Sequence, residues 1–326
     1  MTETVLNNNG PNKPGAADAR PGFLGRKSRP LELIAESIVR MSAWSVIVVL
    51  ALIFVFIGKE ALPIFTSPEV REEVTIGDLF LPVDADPAFD WQPISRKPRY
   101  SLLPLALGTL KATLVALLVA IPLGLGAAIF SSEFAPVWMR ELLKPIVELL
   151  AGIPSVVLGF FALIVLASWL QAATGWEYRL NAVNAGIAMG LAIIPTIFTV
   201  AEDAFNAVPR SYREGSLALG ANRWQTAWRV ALPAAFPGVF AACVLGFGRA
   251  IGETMIVLMA AGNSPMLTLD VTRPARTLSA TIAAELGEAY TDSPHWNVIF
   301  FIGALLFVVT FIANLTGRWF VTRLKR

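Results

Sequence analysis

The sequence predicts an all-α membrane protein with six transmembrane helices, and three observations carry that prediction. Hydrophobic residues make up 55% of the 326-residue chain and charged residues only 15%, against about 25% charge in an ordinary soluble domain; the mean hydropathy is +0.62. Several apolar runs reach about 18 residues or more, enough to cross roughly 30 Å of hydrocarbon. Lysine and arginine are spread unevenly between these runs, and that asymmetry sets an orientation. The composition excludes a soluble enzyme core, a disordered chain and a basic nucleic-acid binder. A net charge of +2 is too small to imply a polyanionic partner. The single cysteine, Cys243, excludes an internal disulfide. The single histidine, His295, excludes a multi-histidine metal site.

Residues 1–28 are rich in Asn, Gly, Pro and Ala and read as a disordered tail. The first apolar run begins about 40 residues in and is too long for a signal-peptide core, so it is expected to remain as a span. The six expected spans are Met41–Gly58, Leu102–Phe130, Ile146–Leu170, Val183–Ala201, Ala234–Gly262 and Trp296–Gly317. Sixteen Lys and Arg residues fall on the two tails and the loops 131–145 and 202–233, against eight on the other side. Both termini are therefore expected in the cytoplasm, which agrees with an even number of spans. The outer loops 59–101 and 263–295 are acidic and contain Pro, with little apolar periodicity. They read either as solvated connections or as a docking surface for a soluble partner. Trp91, Trp176 and Trp296 are expected at headgroup level, with His295 as an interfacial neighbour and not a ligand. Pro122, Pro154 and Pro195 each remove a backbone donor inside a span, so they are expected to face other helices or an aqueous path. Ala151–Ser155, with Gly152 and Pro154, reads as a broken helix entry.

The loop between the fourth and fifth spans is the most informative stretch. Ser211 is placed to cap a helix, with Glu214 three residues on to complete a capping box. Gly220 suits a left-handed helix end. A second short helix is expected to stop near Leu232–Pro233. The product is a cationic, aromatic helix–Gly–helix knob suited to a groove on a partner.

At this point the sequence resembles the permeases of binding-protein-dependent ABC importers. Their loop pattern is E-A-A, three residues, G, nine residues, I-x-L-P. Here Glu214, Gly215 and Ser216 are followed by Gly220 and then Val230, Leu232 and Pro233 at the same spacing. The departures are small for small and branched for branched, although Gly215 costs roughly 1 kcal/mol of helix stability relative to Ala. Arg249–Asn263, Ile121–Phe130 and Ile153–Gly159 further resemble the phosphate-specific members, and within them the C-type (PstC-like) subunit. The likeness covers about Pro104–Arg326, is weak over the outer loop 59–101 and absent from the tail. It implies a type I importer permease domain over 29–326 in the bacterial inner membrane. It implies a pore shared with a second, PstA-like permease, two PstB-like ATPases and an external PstS-like phosphate-binding protein, with ATP and magnesium held by the ATPase. The sequence contains no G-x-x-x-x-G-K-[S/T] run, so this chain has no ATP phosphate cradle, and no cofactor is expected on it.

Ionisable residues within spans are functional candidates by default. Lys111 lies about 13 Å into the second span and is long enough to snorkel outward. Glu148 is placed near the cytoplasmic end of the third. Arg249 and Glu253 lie four apart in the fifth and are expected to pair, either as a structural bridge or as an anion attractor with its resting counter-ion. Two other readings stand beside phosphate import. One is the same architecture for molybdate or sulfate. The other is an ion-coupled secondary carrier, which leaves the 202–233 loop unexplained and lacks the internal repeat common in that class. A membrane enzyme or scaffold finds no Ser/His or metal-ligand constellation in the sequence.

Overall fold

A computed structural model describes residues 30–82 and 89–324. The expected tail 1–28 lies outside the described residues. Contacts divide the chain into two units, Met1–Ile53 and Phe54–Arg326. Of the first unit, the described part is the N-terminal portion of helix α1 (Pro30–Ala61), where Arg40 pairs with Glu36 one turn earlier at 2.7 Å.

The second unit begins with the end of α1 and three short helices, α2 (Pro63–Thr66), α3 (Pro68–Glu73) and α4 (Ile76–Phe80). A two-residue hairpin follows, with Trp91 (β1, Trp91–Gln92) opposite Tyr100 (β2, Arg99–Tyr100). The second span is α5 (Leu103–Ile129), continued by a π-helical turn Phe130–Phe134. Helix α6 (Val137–Gly152) then ends at Ile153–Pro154, where Ile153 is extended, and α7 (Ser155–Phe161) begins the third span. That span runs through a second π turn, Ala162–Leu166, into α8 (Ala167–Thr174). The broken entry expected at Ala151–Ser155 is therefore present. The expected single span Ile146–Leu170 is corrected to Ser155–Thr174, because a residue preceding Pro is driven out of the helical region. Glu148 consequently belongs to α6, outside the span.

The fourth span, α9 (Ala182–Asn206), is the centre of the bundle. It packs on α5 through small residues: Ala112, Ala116 and Ala120 of α5 and Ala185, Ala188 and Ala192 of α9 are all buried in one core. A Cβ added at Gly186 would lie 2.5 Å from the Cβ of Val115, so the backbones approach closely, as membrane helices do where side chains are small. Pro195 is buried, whereas Pro122 lies on an exposed face of the chain.

The fourth-to-fifth connection comprises α10 (Arg210–Ala218) and α11 (Arg223–Thr226), then a π turn Ala227–Ala231 that runs directly into α12 (Leu232–Gly252). The expected stop at Leu232–Pro233 is therefore corrected. The Leu232 N–H donates to the Ala227 carbonyl, and this wider turn relieves the crowding that the Pro233 ring would cause in an α-turn. The expected span Ala234–Gly262 is likewise divided, at Glu253–Thr254, into α12 and α13 (Met255–Ala260). Helix α14 (Leu278–Glu285) and the last span α15 (Pro294–Leu324) complete the chain. The helices α1 and α15 outrun the expected spans Met41–Gly58 and Trp296–Gly317, because a helix continues through the polar residues flanking its apolar centre.

The loops 59–101 and 263–295 are not solvated connections among the described residues. Together with the ends of α5 and α15 they form a second core around Ile64, Val74, Leu79, Trp91, Leu278 and Ile302. Trp91 is buried there, inside the protein and not on its outer surface. Its indole Nε1–H donates to Glu285 Oε1 at 2.9 Å, and Glu285 also meets Arg276 at 2.6 Å and His295 at 2.9 Å. Burial pushes the Glu285 carboxyl up, but the hydrogen bonds from His295 and Trp91 and the charge of Arg276 outweigh it and hold the carboxyl below its ordinary range. Trp296 donates to Glu60 Oε2 at 2.9 Å. This cap closes the end of the bundle opposite the 207–233 loop. Nearby, a Cβ on Gly108 would lie 2.2 Å from the Arg276 carbonyl oxygen, so only glycine lets the 263–277 segment lie against α5.

Candidate functional site

Helix α10 starts at Arg210 with Pro209 as its N-cap residue and no side-chain cap. The expected Ser211 cap with a Glu214 capping box is corrected, since Pro209 starts the helix two residues earlier and both residues lie inside it. The capping box of this loop is instead one element later. The Asn222 side chain accepts from Gln225 N at 2.8 Å, and the Gln225 side chain accepts from Asn222 N at 2.9 Å. Gly220 adopts the expected left-handed conformation, φ +87°, which costs a Cβ-bearing residue about 1–2 kcal/mol. The Ser216 and Thr226 hydroxyls meet at 3.0 Å across the turn and join the two helices. Glu214, Gly215 and Gly220 are exposed, as is Pro233; Ser216 and Leu232 are half-buried. Between the helices lies an open groove of about 680 Å³, lined by Ser211, Tyr212, Gly215, Gly220 and Arg229. Around it Trp224 and Trp228 are exposed, and Leu219 is 91% exposed.

Beneath this surface lies a set of ionic contacts that sequence reasoning did not assign. Arg213 donates from Nε and Nη2 to Glu133 at 2.6–3.0 Å, from Nη1 to the Val208 carbonyl at 2.7 Å and from Nη2 to the Phe205 carbonyl at 2.8 Å. The last two acceptors lie at and just beyond the C-terminus of α9, where carbonyls lack intrahelical donors. Glu202, 2% exposed, accepts from Ser131 Oγ at 2.6 Å and meets Lys144 at 3.4 Å. Arg140 donates to the carbonyls of Ser131 and Ser132 at 2.9 and 3.0 Å. An acid at a span end with bases one loop away was the available signal, but the partners lie 58 to 80 positions apart in sequence.

Within the spans, Lys111 is 4% exposed and its Nζ donates to the Asp270 carbonyl at 3.1 Å. It thus reaches outward, as a snorkelling lysine does, and holds the 263–277 segment. Arg249 and Glu253 do not pair. The helix ends at Gly252, and Glu253 is extended (φ −68°, ψ 129°), so the four-residue helical spacing that would align them is lost. Arg249 Nη1 donates to Thr196 Oγ1 at 2.9 Å, Glu253 Oε1 accepts from Thr254 N at 3.2 Å, and the Glu253 carbonyl accepts from Ser279 Oγ at 2.8 Å. The structure thus brings together Glu214–Gly220 and the groove, and separates Lys111, Arg249 and Glu253 from one another. Among the described residues no cluster of three or more His, Cys, Asp or Glu stands where a metal could be held.

Among the described residues six apolar helices are long enough to cross a membrane, with a helix–Gly–helix knob between the fourth and fifth, an architecture that fits the permease subunit of a transporter. The chain belongs to the family described as binding-protein-dependent transport system inner membrane component, whose model matches residues 120–326. It is the permease component of an ABC importer, a transport subunit of the inner membrane, and it acts with an ATPase and a substrate-binding protein. It is 36% identical to the "Probable ABC transporter permease protein YqgH" of Bacillus subtilis (strain 168), over 92% of this chain and 94% of that one. It is 33% identical to the phosphate transport system permease protein PstC of Xylella fastidiosa (strain 9a5c), covering 73% and 78% of the two chains. With PstC of Mesorhizobium japonicum the identity is 31%, over 84% and 86%. Two solved transporters share the fold at low identity. An inward-facing MetNI methionine ABC transporter matches with TM-score 0.55 at 20% identity, over 69% of this chain and 97% of that one. A bacterial alginate ABC transporter matches with TM-score 0.57 at 16% identity, over 89% and 98%.

Proposed function

We propose that the chain is the PstC-like half of an importer for inorganic phosphate. It pairs with a PstA-like permease, two PstB-like ATPases and a PstS-like binding protein, with ATP and magnesium on the ATPase. Support for the ion comes from relatives at 31–33% identity that carry the phosphate-transport name. The observation that carries the reading within this chain is Arg249. Its residue is exposed, it lies inside the fifth span, and no carboxylate within ion-pair distance neutralises it among the described residues. A planar guanidinium donates two parallel hydrogen bonds to a tetrahedral oxyanion, and Thr196 orients it. Glu253 and Lys111 act as structural groups, one at the break of the fifth span and one anchoring the cap.

In this reading the loop 207–233, with both termini, faces the cytoplasm, and the cap faces the binding protein. The groove between α10 and α11, with Glu214, Gly215, Ser216 and Gly220 along α10 and its turn and Leu232–Pro233 at the following helix, receives the ATPase. Closure of that partner biases the pore only if its contacts with the loop differ between the two states. The test is uptake of radiolabelled phosphate by the reconstituted complex, with unlabelled phosphate, molybdate and sulfate as competitors. Suppression by phosphate alone is expected. Suppression by molybdate or sulfate in preference to phosphate would assign another oxyanion to the same architecture.

A further inference from the structure

The π turn Phe130–Phe134 at the end of the second span is touched by four separate elements. Ser131 Oγ donates to Glu202 of α9. The carbonyls of Ser131 and Ser132 accept from Arg140 of α6. Glu133 accepts the fork of Arg213 from α10, and the Phe134 ring lies 5.9 Å from that of Trp224 on α11. The wider turn is marked by the Ala135 N–H donating to the Phe130 carbonyl at 2.8 Å. Such turns are rare and frequently stand at functional sites, and here residues 131, 133 and 134 each find a different partner. Arg213 also donates to the carbonyls of Phe205 and Val208. One guanidinium therefore ties the loop helix to the ends of both the second and fourth spans. The Glu133 side chain is 6% exposed and that of Arg213 20%, so neither swings freely in solvent.

We propose that this π turn is the junction through which force on the loop reaches the second span, with Glu133 and Arg213 as its positioning residues. The proposal rests on the reading that the loop receives the ATPase. Because Arg213 grips from beneath α10, a push on the exposed α10–α11 face displaces α5 and α9 together instead of bending the loop. Charge alone is insufficient: the fork must satisfy a carboxylate and two carbonyls at once.

The experiment uses the whole complex in proteoliposomes and reads assembled complex, unstimulated ATPase, ATPase stimulated by loaded binding protein, and uptake. Glu133→Gln and Arg213→Gln are each expected to lower stimulation and uptake about tenfold, within the range of ordinary coupling energies, with the complex still assembled. The double variant should be no worse than Arg213→Gln alone, because that change already removes the link to Glu133. Arg213→Lys should leave assembly intact and restore stimulation only in part. If Glu133→Gln fails to assemble, Phe134→Leu, which loses the Trp224 contact, carries the same expectation at about fivefold. Normal stimulation in the assembled single variants, or additive losses in the double, would overturn the junction. Leu219→Asp on the exposed face separates the two ideas. If it releases the ATPase while the Glu133 and Arg213 variants stay coupled, only the junction fails. If it too has no effect, the loop is not the ATPase contact.

Discussion

Glu285→Gln probes the cap most directly. The wild-type carboxylate accepts from the Trp91 indole, Arg276 and the His295 ring within 2.6–3.1 Å. The substitution keeps shape and one acceptor but removes the charge facing Arg276, whose side chain is only 12% exposed. Breaking one partner of a buried pair costs about 3–5 kcal/mol; the residual exposure puts this site near the lower end. A loss of about 3 kcal/mol corresponds to roughly a hundredfold fall in protection for segments that open with the cap. Hydrogen exchange of the complex in nanodiscs reads this over 91–100 and 278–285, with α9 as the internal reference. The carboxyl is held below its ordinary range in the folded state. Its contribution is therefore fully present above the unfolded value of about 4.3 and is lost as pH falls from there through the folded value. Wild-type cap protection should decline below about pH 4, and the Glu285→Gln protein should lack that part of the decline. Unchanged protection in the variant at neutral pH would refute the reasoning.

Gly220→Pro cannot adopt φ +87°, since its ring holds φ near −65°; insertion should survive while stimulated ATPase activity and uptake are lost, and normal values for both would remove the turn from coupling. Arg249→Ala and Glu253→Ala should show a coupling energy in assembly below about 0.5 kcal/mol, the limit for independent sites, whereas a true ion pair would show several times that in a double-mutant cycle. Arg249→Lys should reduce phosphate uptake with assembly intact, because the charge remains and the fork does not. In a Cys243→Ala background, a cysteine at Thr291 should label with an impermeant reagent from outside and one at Asn222 only from inside; external labelling at Asn222 would reverse the orientation.

Spans, loop and family were legible in the sequence because each is written locally. A span is a continuous apolar run, and Gly220 is required wherever the chain turns left-handed after a helix. The Glu214-to-Pro233 spacing runs along one continuous stretch. The breaks were only half legible. Pro154 marked one, but Glu253 has no Pro close to it in sequence, and it leaves the helix where its carbonyl meets Ser279 of α14. Conversely Pro233 signalled a stop that did not occur, since a π turn three-dimensionally accommodates what a one-dimensional rule forbids. The cap and the junction were decided by tertiary structure alone. Helices of four to six residues carry no periodicity to read, and Trp91 meets Glu285 194 positions away. Arg213 likewise finds Glu133 80 positions away. A charge in a loop is solvated by default, and only the packed chain, by excluding water from both partners, makes such a pair specific.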